Sequence, residues 1–522
     1  MALALVLVTI LPLHASTPPA GHFAGIVLPG DSTAQGAIAL FEPYETPGSG
    51  NATPSTELST TPNVQLVFSS VFPQATSTIS RLFYQEGDRD QAFTGGNFTA
   101  AQPLSWYVAN HPDWIEITAS QSGFTCATIG DNVTFATATS GLFAPSGGAN
   151  LPGQDVAWEF SNDPKMPLDG ANPAVQNYIE QTWLKPALTG TLVGNVDGKS
   201  MVGFKFDGIS FDNYQVANDG AYTGQRCGYY ATGPNAVAAQ QRCQNNASWT
   251  WHPIEGFCDQ YLAVNNDPNY RATEIAMATA YTAWLHTNFP AALVSYNFTY
   301  NPSYVTDSQT LLNQIPIDFM ENGFTACGAN CLPQIVDSNL TTMWTFLDGW
   351  LHSSTWHALL SSNEEPGAFS GCTLPTITHA ETQWALANTL LIENSSTYFW
   401  EGGIQQYSCI WGSSNFTEYS ANLGTPIGRY VPYTNVSPAG TIYERVFTNG
   451  IVFANPSSTV SYTVTLPAGS YNDLYGSAQG ATIALGTTAG AVLVLQTPPT
   501  PTPIPTPVPT VLPGPNRPYP VH

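Results

Sequence analysis

Residues 206–214 read FDGISFDNY, a short apolar run that ends in a carboxylate and an amide, Asp212 and Asn213. Apolar runs of this length, bounded by Gly or Asn, are typical of strands buried on both faces. Seven further runs of the same kind occur along the chain. The eight predicted strands are 64–70, 80–85, 155–160, 208–213, 293–298, 318–323, 357–363 and 397–402.

Helical patterns separate most of the later runs. Apolar residues recur with helical spacing over 174–188, 273–287, 339–351 and 379–392, and the first of these segments follows Asn172-Pro173, a helix start signal. Strands that alternate with helices form parallel sheets, and eight such strands close into a barrel. The sequence therefore predicts the α/β class, with a (β/α)8 TIM barrel over residues 17–426.

The end of the chain has a different pattern. Short β-patterned runs follow one another over 427–497, and Asn449-Gly450 lies between two of them, where it is a strong hairpin signal. This pattern predicts a small C-terminal antiparallel β-sandwich. Proline at nearly every second position over 498–522 predicts an extended Pro/Thr-rich tail, suited to contact with a cell-surface or assembly partner.

The composition limits the class of partner. Only 9% of the 522 residues are charged, and 36 acidic against 12 basic side chains give a formal net charge of −24. Nucleic acids and anionic membranes bind clustered positive charge, so both are excluded as partners. Because neutral polar groups must wet most of the surface, we expect the stability of the protein to depend weakly on pH.

The N-terminal residues predict export. Residues 2–13 are apolar but too few to span a bilayer, and small residues follow them, which is typical of a secretory signal peptide over 1–16. No later stretch is apolar and long enough to span a membrane. We therefore expect an extracellular, secreted protein.

Cysteines and glycosylation sequons agree with export. An even number of cysteines in an exported chain predicts disulfides, and their pairing stays open. The cysteine and histidine spacing of a zinc site is absent, so we predict no metal and no cofactor. The cysteines are Cys126, Cys227, Cys243, Cys258, Cys327, Cys331, Cys372 and Cys409, with three of them in an insertion over 215–270. The candidate glycosylation sites are Asn51, Asn97, Asn132, Asn246, Asn297, Asn339, Asn394, Asn415 and Asn435.

Carboxylates stand at or near the ends of four predicted strands. They are Asp212, Glu321, Glu401 and Glu159. In a TIM barrel the chemistry lies at the carboxyl ends of the strands, so these groups should converge on one mouth. Cleavage of a glycosidic bond needs two carboxyl groups, one protonated and one ionised. We predict that Asp212 is the nucleophile or base and that Glu321 is the acid.

Further side chains near the strand ends are candidates for sugar binding. Aromatic rings stack on the apolar faces of sugars, and amides and carboxylates accept or donate hydrogen bonds to hydroxyl groups. For Trp158 and Trp400 a core position is an equally good interpretation. The predicted substrate-binding residues are Trp158, Glu159, Asn213, Tyr214, Asn297, Trp400 and Glu401.

Several motifs together resemble a known group of enzymes. The chain is similar, over about residues 60 to 497, to the TIM-barrel proteins labelled hypothetical glycosyl hydrolase family 15, in the amylase- and galactosidase-like group. The resemblance implies a TIM-barrel glycoside hydrolase in which Asp212 is catalytic and Glu321 is an acid on the sixth strand. The matching segments are 111–114 (HPDW), 172–175 (NPAV), 206–213 (FDGISFDN), 318–321 (DFME), 397–400 (TYFW) and 444–450 (ERVFTNG).

Two alternatives stay open beside the enzyme. A non-catalytic barrel that binds glycan, or belongs to a secreted surface assembly, would have the same composition and tail. A serine hydrolase would use Gly30-Asp31-Ser32, but none of the nine histidines follows an aspartate at the required spacing. Geometry distinguishes the glycoside hydrolase from the non-catalytic barrel. The enzyme requires Asp212 and Glu321 in one pocket, with carboxyl groups about 5 to 10 Å apart.

Overall fold

The computed structural model of the chain describes part of the sequence. The described residues are 40–42, 64–68, 80–87, 89–91, 102, 104–118, 126, 165–196, 199–212, 214, 216–218, 225–262, 266–298, 300–321, 323–325, 335–365, 379–394, 396–403 and 423–496. The predicted signal peptide, the predicted strand over 155–160 and the proline-rich tail lie outside these residues.

Strands and helices are numbered here along the described residues. The strands are β1 Leu40–Glu42, β2 Val64–Phe68, β3 Ser80–Glu86, β4 Arg89–Gln91, β5 Ile117–Thr118, β6 Lys165–Pro167, β7 Asn195–Val196, β8 Lys199–Ser200, β9 Gly208–Asp212, β10 Arg226–Tyr230, β11 Thr250–His252, β12 Phe257–Asp259, β13 Leu293–Asn297, β14 Ile317–Met320, β15 Ala358–Glu365, β16 Thr397–Gly403, β17 Val431–Tyr433, β18 Val436–Ser437, β19 Ile442–Phe447, β20 Gly450–Asn455, β21 Tyr462–Thr465, β22 Tyr471–Asp473, β23 Thr482–Leu485 and β24 Ala489–Leu495. The α-helices are α1 Leu104–Asn110, α2 Pro173–Ile179, α3 Lys185–Thr189, α4 Ala236–Asn245, α5 Pro268–Asn288, α6 Val305–Leu312, α7 Asp337–Leu351 and α8 His379–Ile392. A π-helical turn over Glu180–Leu184 joins α2 to α3.

Eight strands form a closed parallel barrel. Their order around the ring is β1, β2, β3, β9, β13, β14, β15 and β16, and β16 pairs again with β1, where Leu40 lies opposite Phe399. Helices α5 to α8 separate the strands from β9 to β16, as the alternating pattern predicts. The α/β class is therefore confirmed, and the carboxyl ends of the parallel strands meet at one edge.

Seven of the predicted strands overlap members of the ring, and the eighth place is taken by β1. This strand was missed because three residues, Leu40–Glu42, are too short to show a period. The predicted strand over 155–160 is outside the described residues, so the ring does not depend on it.

Side-chain caps begin the helices that the sequence marks. The Asn172 side chain accepts a hydrogen bond from the Ala174 backbone N–H at 3.0 Å, and Pro173 occupies the first helical turn. The Asp267 carboxylate accepts from the backbone N–H groups of Asn269 and Tyr270 and begins α5. Helix α5 starts five residues earlier than predicted because its first turn is polar and carries no apolar period.

One disulfide and an ion pair fasten the insertion to the barrel domain, and a second disulfide lies within the insertion. Strands β11, β12 and β10 form an antiparallel sheet with β5, and Cys243 of α4 bonds to Cys258 of β12. Cys126 bonds to Cys227 over a separation of 101 residues. Arg242 on α4 pairs with the buried Asp169. Disulfide formation is confirmed for these four cysteines, whereas Cys327, Cys331, Cys372 and Cys409 lie outside the described residues.

The C-terminal segment forms two antiparallel sheets, as predicted. A five-stranded sheet has the order β17-β19-β20-β24-β22, and a three-stranded sheet has the order β18-β21-β23. Ile451 and Phe453 of the larger sheet and Val464 of the smaller one belong to one buried apolar cluster, so the sheets pack face to face. Among the described residues, no helix is both long and apolar enough to cross a bilayer.

Candidate active site

Three adjacent strands of the ring end in polar side chains. Asp212 is the last residue of β9, Asn297 is the last residue of β13, and Glu321 directly follows β14. Strand β13 pairs with β9 on one side and with β14 on the other. The parallel register therefore brings all three side chains to the same edge of the barrel.

The alternation of side chains along β13 sends Asn297 to the inside of the barrel. The Tyr296 hydroxyl donates to the Ala278 carbonyl oxygen of α5 at 2.9 Å, so this ring faces the helices. Successive side chains of a strand point to opposite faces, so the neighbouring Asn297 points inward. On β9 the ring of Phe211 stacks on Tyr281 of α5, and by the same rule Asp212 points inward.

One amide nitrogen joins the two carboxylates. Asn297 Nδ2 donates to Asp212 Oδ1 at 2.6 Å and to Glu321 Oε2 at 2.5 Å. These two oxygens consequently lie no more than about 5 Å apart, which is compatible with the separation of about 5–5.5 Å between the carboxyl groups of glycosidases that form a covalent intermediate. Asp212 and Asn297 are 8% and 6% exposed, while Glu321 is half-buried.

This arrangement can hold two acids close together without an ion between them. The amide group of Asn297 is neutral and has two N–H bonds, so each carboxylate receives one hydrogen bond. Hydrogen bonds to an ionised oxygen are the strong kind, and they fix the direction of both carboxyl groups. Asn297 was predicted to bind substrate, and its bridging contact was missed because no spacing in the sequence relates it to Asp212 and Glu321.

Side chains of two further elements hold the segment that carries Glu321. The Phe324 backbone N–H donates to Asn363 Oδ1 at 2.9 Å, and the Trp384 indole N–H donates to the Phe324 carbonyl oxygen at 2.7 Å. Gly323, which directly precedes Phe324, has φ +42°, in the left-handed region that favours glycine. A Cβ at this position would collide with Asn363. Sequence reasoning missed Asn363 and Trp384, which lie on β15 and α8 with no motif around them.

Of the predicted substrate-binding residues, Tyr214 lies in the core. Its ring is 3% exposed and packs edge-on against Tyr296 at 4.8 Å between centroids. Because Tyr296 faces the helices, this contact places the Tyr214 ring on the helix side of the barrel wall, and its contact with substrate stays a prediction. A position two residues beyond the end of β9 does not reveal which side of the wall a ring occupies.

The other predicted binding residues are placed only in part. The backbones of Trp400 and Glu401 on β16 pair with Ser362 and Asn363 of β15, at the same edge as Asp212. Trp158, Glu159 and Asn213 lie outside the described residues. Substrate contacts by these five residues stay predictions.

Two predicted glycosylation sites are occupied by internal hydrogen bonds. Asn297 Nδ2 bridges the carboxylates, and Asn394 Nδ2 donates to the Leu351 carbonyl oxygen at 2.6 Å. An attached glycan would displace these contacts, and glycosylation at both sites stays a prediction. Asn339 and Asn435 are exposed and Asn246 is half-buried, which leaves the prediction open there. Asn51, Asn97, Asn132 and Asn415 lie outside the described residues.

Within the described part of the chain, no group of three or more His, Cys, Asp or Glu side chains could hold a metal ion.

Comparisons with known proteins find structural neighbours but no family. No family model and no curated protein matches the chain, so the resemblance to hypothetical glycosyl hydrolase family 15 stays a prediction. The chain is similar to Eubacterium rectale Amy13B, at 10% identity and TM-score 0.38, over 92% of this chain and 100% of that one. It is similar to a maltogenic amylase from S. marinus, at 8% identity and TM-score 0.36, over 88% of this chain and 66% of that one. A family GH13_31 enzyme is similar at 11% identity and TM-score 0.36, over 87% of this chain and 98% of that chain. Similarities this weak carry no argument about function.

Proposed function

We propose that this chain is a secreted glycoside hydrolase on a (β/α)8 TIM barrel, which cleaves glycosidic bonds in a polysaccharide or glycan. The observation that supports it is the pair of hydrogen bonds from Asn297 Nδ2 to Asp212 and Glu321. This reaction requires two carboxyl groups at such a separation. The pair lies at the carboxyl edge of a parallel barrel, where the chemistry of TIM barrels takes place.

In the proposed reaction Glu321 donates a proton to the glycosidic oxygen while the carboxylate of Asp212 attacks the anomeric carbon. The bond between the anomeric carbon and the leaving oxygen breaks, and a covalent glycosyl ester forms on Asp212. Glu321 then removes a proton from water, which attacks the anomeric carbon and releases the carboxylate of Asp212. Both groups return to their starting protonation states, so no co-reactant other than water is needed.

The short separation predicts the stereochemical outcome. An inverting enzyme needs room for a water molecule between sugar and base, and its carboxyl groups lie about 6.5 to 9.5 Å apart. Here one amide nitrogen contacts both groups. We expect the first product to retain the anomeric configuration of the substrate, as measured by proton NMR during the first minutes of hydrolysis. An inverted first product would assign Asp212 to activating water instead.

A polysaccharide and oligosaccharide screen tests the activity itself. Wild-type protein should release reducing sugar from at least one substrate, and Asp212→Asn and Glu321→Gln should each lower the rate by about 10²- to 10⁴-fold. Asp207→Asn is the matched control, because Asp207 lies just before the opposite end of the same strand. Full activity in Asp212→Asn would contradict the proposal.

The same screen separates the enzyme from a binding protein. A non-catalytic glycan-binding barrel would retain a polysaccharide in affinity electrophoresis without releasing any sugar. Binding by wild type together with no hydrolysis of any substrate in the panel would favour that alternative.

A further inference from the structure

The segment that carries Glu321 leaves the barrel strand one residue before the carboxylate. Strand β14 ends at Met320, and the chain then turns, with the Gly323 N–H donating to the Met320 carbonyl oxygen at 3.2 Å. The position of Glu321 therefore depends on this turn as well as on the pairing of β14. Contacts that hold Gly323 and Phe324 therefore also help to hold the proposed acid, Glu321.

Both backbone polar groups of Phe324 are bonded by side chains of the next two elements. Asn363 of β15 accepts from its N–H, and Trp384 of α8 donates to its carbonyl oxygen. Phe324, Asn363 and Trp384 are 3% exposed or less. Inside a protein such bonds are costly to lose, because a buried polar group without a partner is left behind.

The two side chains are themselves fixed. Asn363 Nδ2 donates to the Ser361 carbonyl oxygen at 3.1 Å and to its hydroxyl at 2.9 Å. The Thr389 hydroxyl of α8 lies 3.1 Å from the Ser361 hydroxyl, which ties β15 to the helix that supplies Trp384. Residues of β15 and α8 thus form one hydrogen-bonded frame around Phe324.

Helix α8 is held from two sides. On one side the Trp344 indole of α7 donates to Asn388 Oδ1 at 3.0 Å, and Asn388 Nδ2 donates to the Trp384 carbonyl oxygen at 2.7 Å. On the other side β24 of the C-terminal sheet approaches so closely at Gly490 that a Cβ would collide with the backbone of Gln383. These contacts hold helix α8 in place, and α8 in turn holds the Trp384 side chain that bonds to Phe324.

We propose that Asn363 and Trp384 are positioning residues that hold Glu321 at its working distance from Asp212. This inference rests on the proposed function, since it assigns Glu321 the role of acid. It also assigns the C-terminal sheet a part in catalysis, because that sheet supports α8. Asn363 and Trp384 bond to the backbone of Phe324, so each acts on Glu321 through the chain that joins the two residues.

Hydrogen exchange tests the holding role without any substrate. Trp384→Phe removes one N–H donor and keeps an aromatic ring, and exchange in a peptide covering 317–325 should become about 5- to 30-fold faster. Trp350→Phe is the matched control, because the Trp350 indole also donates to a backbone carbonyl oxygen, that of Leu312 at 3.0 Å, away from Glu321. Unchanged exchange at 317–325 in Trp384→Phe would overturn the proposal.

Leaving-group dependence tests the catalytic consequence. The probes are the dinitrophenyl and methyl glycosides of the sugar that wild type cleaves. The dinitrophenyl group leaves as a stable anion without protonation, whereas the methoxy group leaves only when the acid protonates its oxygen. Trp384→Phe and Asn363→Ser should lower kcat/KM on the methyl glycoside about 10-fold or more and change it less than about 2-fold on the dinitrophenyl glycoside. Glu321→Gln should show the same selectivity with larger losses. Equal losses on both probes would indicate a merely structural role and overturn the proposal.

The two tests separate this inference from the proposed function. If wild type cleaves neither glycoside nor any polysaccharide, the proposed function fails, and exchange in Trp384→Phe still decides whether α8 holds the segment. If wild type is active but Trp384→Phe shows normal exchange, the function stands and the positioning role is wrong.

Discussion

Asn297 contributes a neutral amide where a charged residue would conflict with its neighbours. Its nitrogen lies 2.6 Å from an oxygen of Asp212 and 2.5 Å from an oxygen of Glu321. A lysine there would favour the ionised form of both carboxyl groups and leave Glu321 without a proton to donate, whereas a third carboxylate would repel both. The amide of Asn297 orients the two carboxyl groups and adds no charge of its own to the pair.

The contacts of Asn297 predict that the substitution Asn297→Asp makes the stability of the protein depend on pH. The new carboxyl group would lie among two others, so the folded-state pKa values of the cluster should rise above those of the unfolded chain. Stability from such groups is present at low pH and is lost as pH rises through the folded-state values. We expect the free energy of unfolding relative to wild type to be near zero at about pH 4 and lower by about 2 kcal/mol or more at pH 7.

The control for that change is Asn313→Asp. Asn313 follows α6 and is exposed, so the same substitution there should alter stability by less than about 0.5 kcal/mol at either pH. Urea denaturation at the two pH values measures both variants. An Asn297→Asp protein as stable as wild type at pH 7 would show that the three side chains do not share one site.

Helix α8 is the element through which the barrel and the C-terminal sheets meet. Arg445 of β19 donates to the Leu390 and Glu393 carbonyl oxygens at the end of α8, at 2.8 and 3.0 Å. Cationic groups near a helix C-terminus are favourable because carbonyl groups there lack partners. Gly490 of β24 packs against the middle of the same helix. The sheet is therefore an integral support of the helix and of Trp384 upon it.

Two glycine substitutions with opposite expected effects on the free energy of unfolding test the contact between β24 and α8. Gly490→Ala places a methyl group against Gln383 and Trp384, so β24 or α8 must shift, and we expect a loss of about 1–3 kcal/mol in the free energy of unfolding. Gly349→Ala is the control, because a Cβ on Gly349 of α7 meets nothing within 4 Å. It should stabilise the protein by about 0.5–1 kcal/mol, since alanine favours helix. Equal effects of both substitutions on the melting temperature would contradict this account of the packing.

At the scale of the whole molecule, several of the few charged side chains are buried, among them Arg226, Glu116 and Asp169. Arg226 pairs with Glu116 at 3.6 Å in the interior, and Arg242 pairs with Asp169. Both oxygens of the buried Asp318 have no hydrogen-bond partner among the described residues, and burial raises its pKa well above the usual value. The neutral surface does not by itself govern the pH response, because these interior groups also titrate.

The interior groups predict higher stability in mild acid than at neutral pH. Burial raises the pKa of Glu180 to about 7 and of Asp259 to about 6, so like Asp318 they bind protons more tightly in the folded state. Their contribution is present at low pH and is lost as pH rises toward 7. Burial lowers the pKa of His357 to about 4, which acts in the opposite direction below pH 6.5.

Because three carboxyl groups act against His357 and the more weakly shifted histidines, we expect a higher melting temperature at pH 5 than at pH 7. Each group contributes at most about 1.4 kcal/mol per pH unit within its window. Calorimetry at both pH values measures the effect, and Asp318→Asn should reduce the difference. A melting temperature that rises from pH 5 to pH 7 would show that the histidines dominate.

Much of the barrel could be predicted from the sequence because its strands are fully buried and therefore continuous in apolar residues. Strands β9 and β13 were located within one residue and β14 within three residues at each end, and α8 was located at both of its ends. The short strand β1 could not be located, because three residues show no period and only pairing with β2 and β16 stabilises it. The hydrogen-bonded frame around Phe324 could not be located either, since it joins residues up to 60 positions apart.

The sequence by itself determined the alternation of strands and helices, the β-patterned C-terminal segment and the presence of acids at strand ends. These features depend on local period and composition, which a chain displays before it folds. Only the tertiary structure decided that Asn297 bridges Asp212 and Glu321, that Tyr214 packs behind the wall, and that Cys126 finds Cys227. Distances between residues remote in the chain depend on register and ring closure, and a one-residue shift of a strand would turn its side chains to the other face.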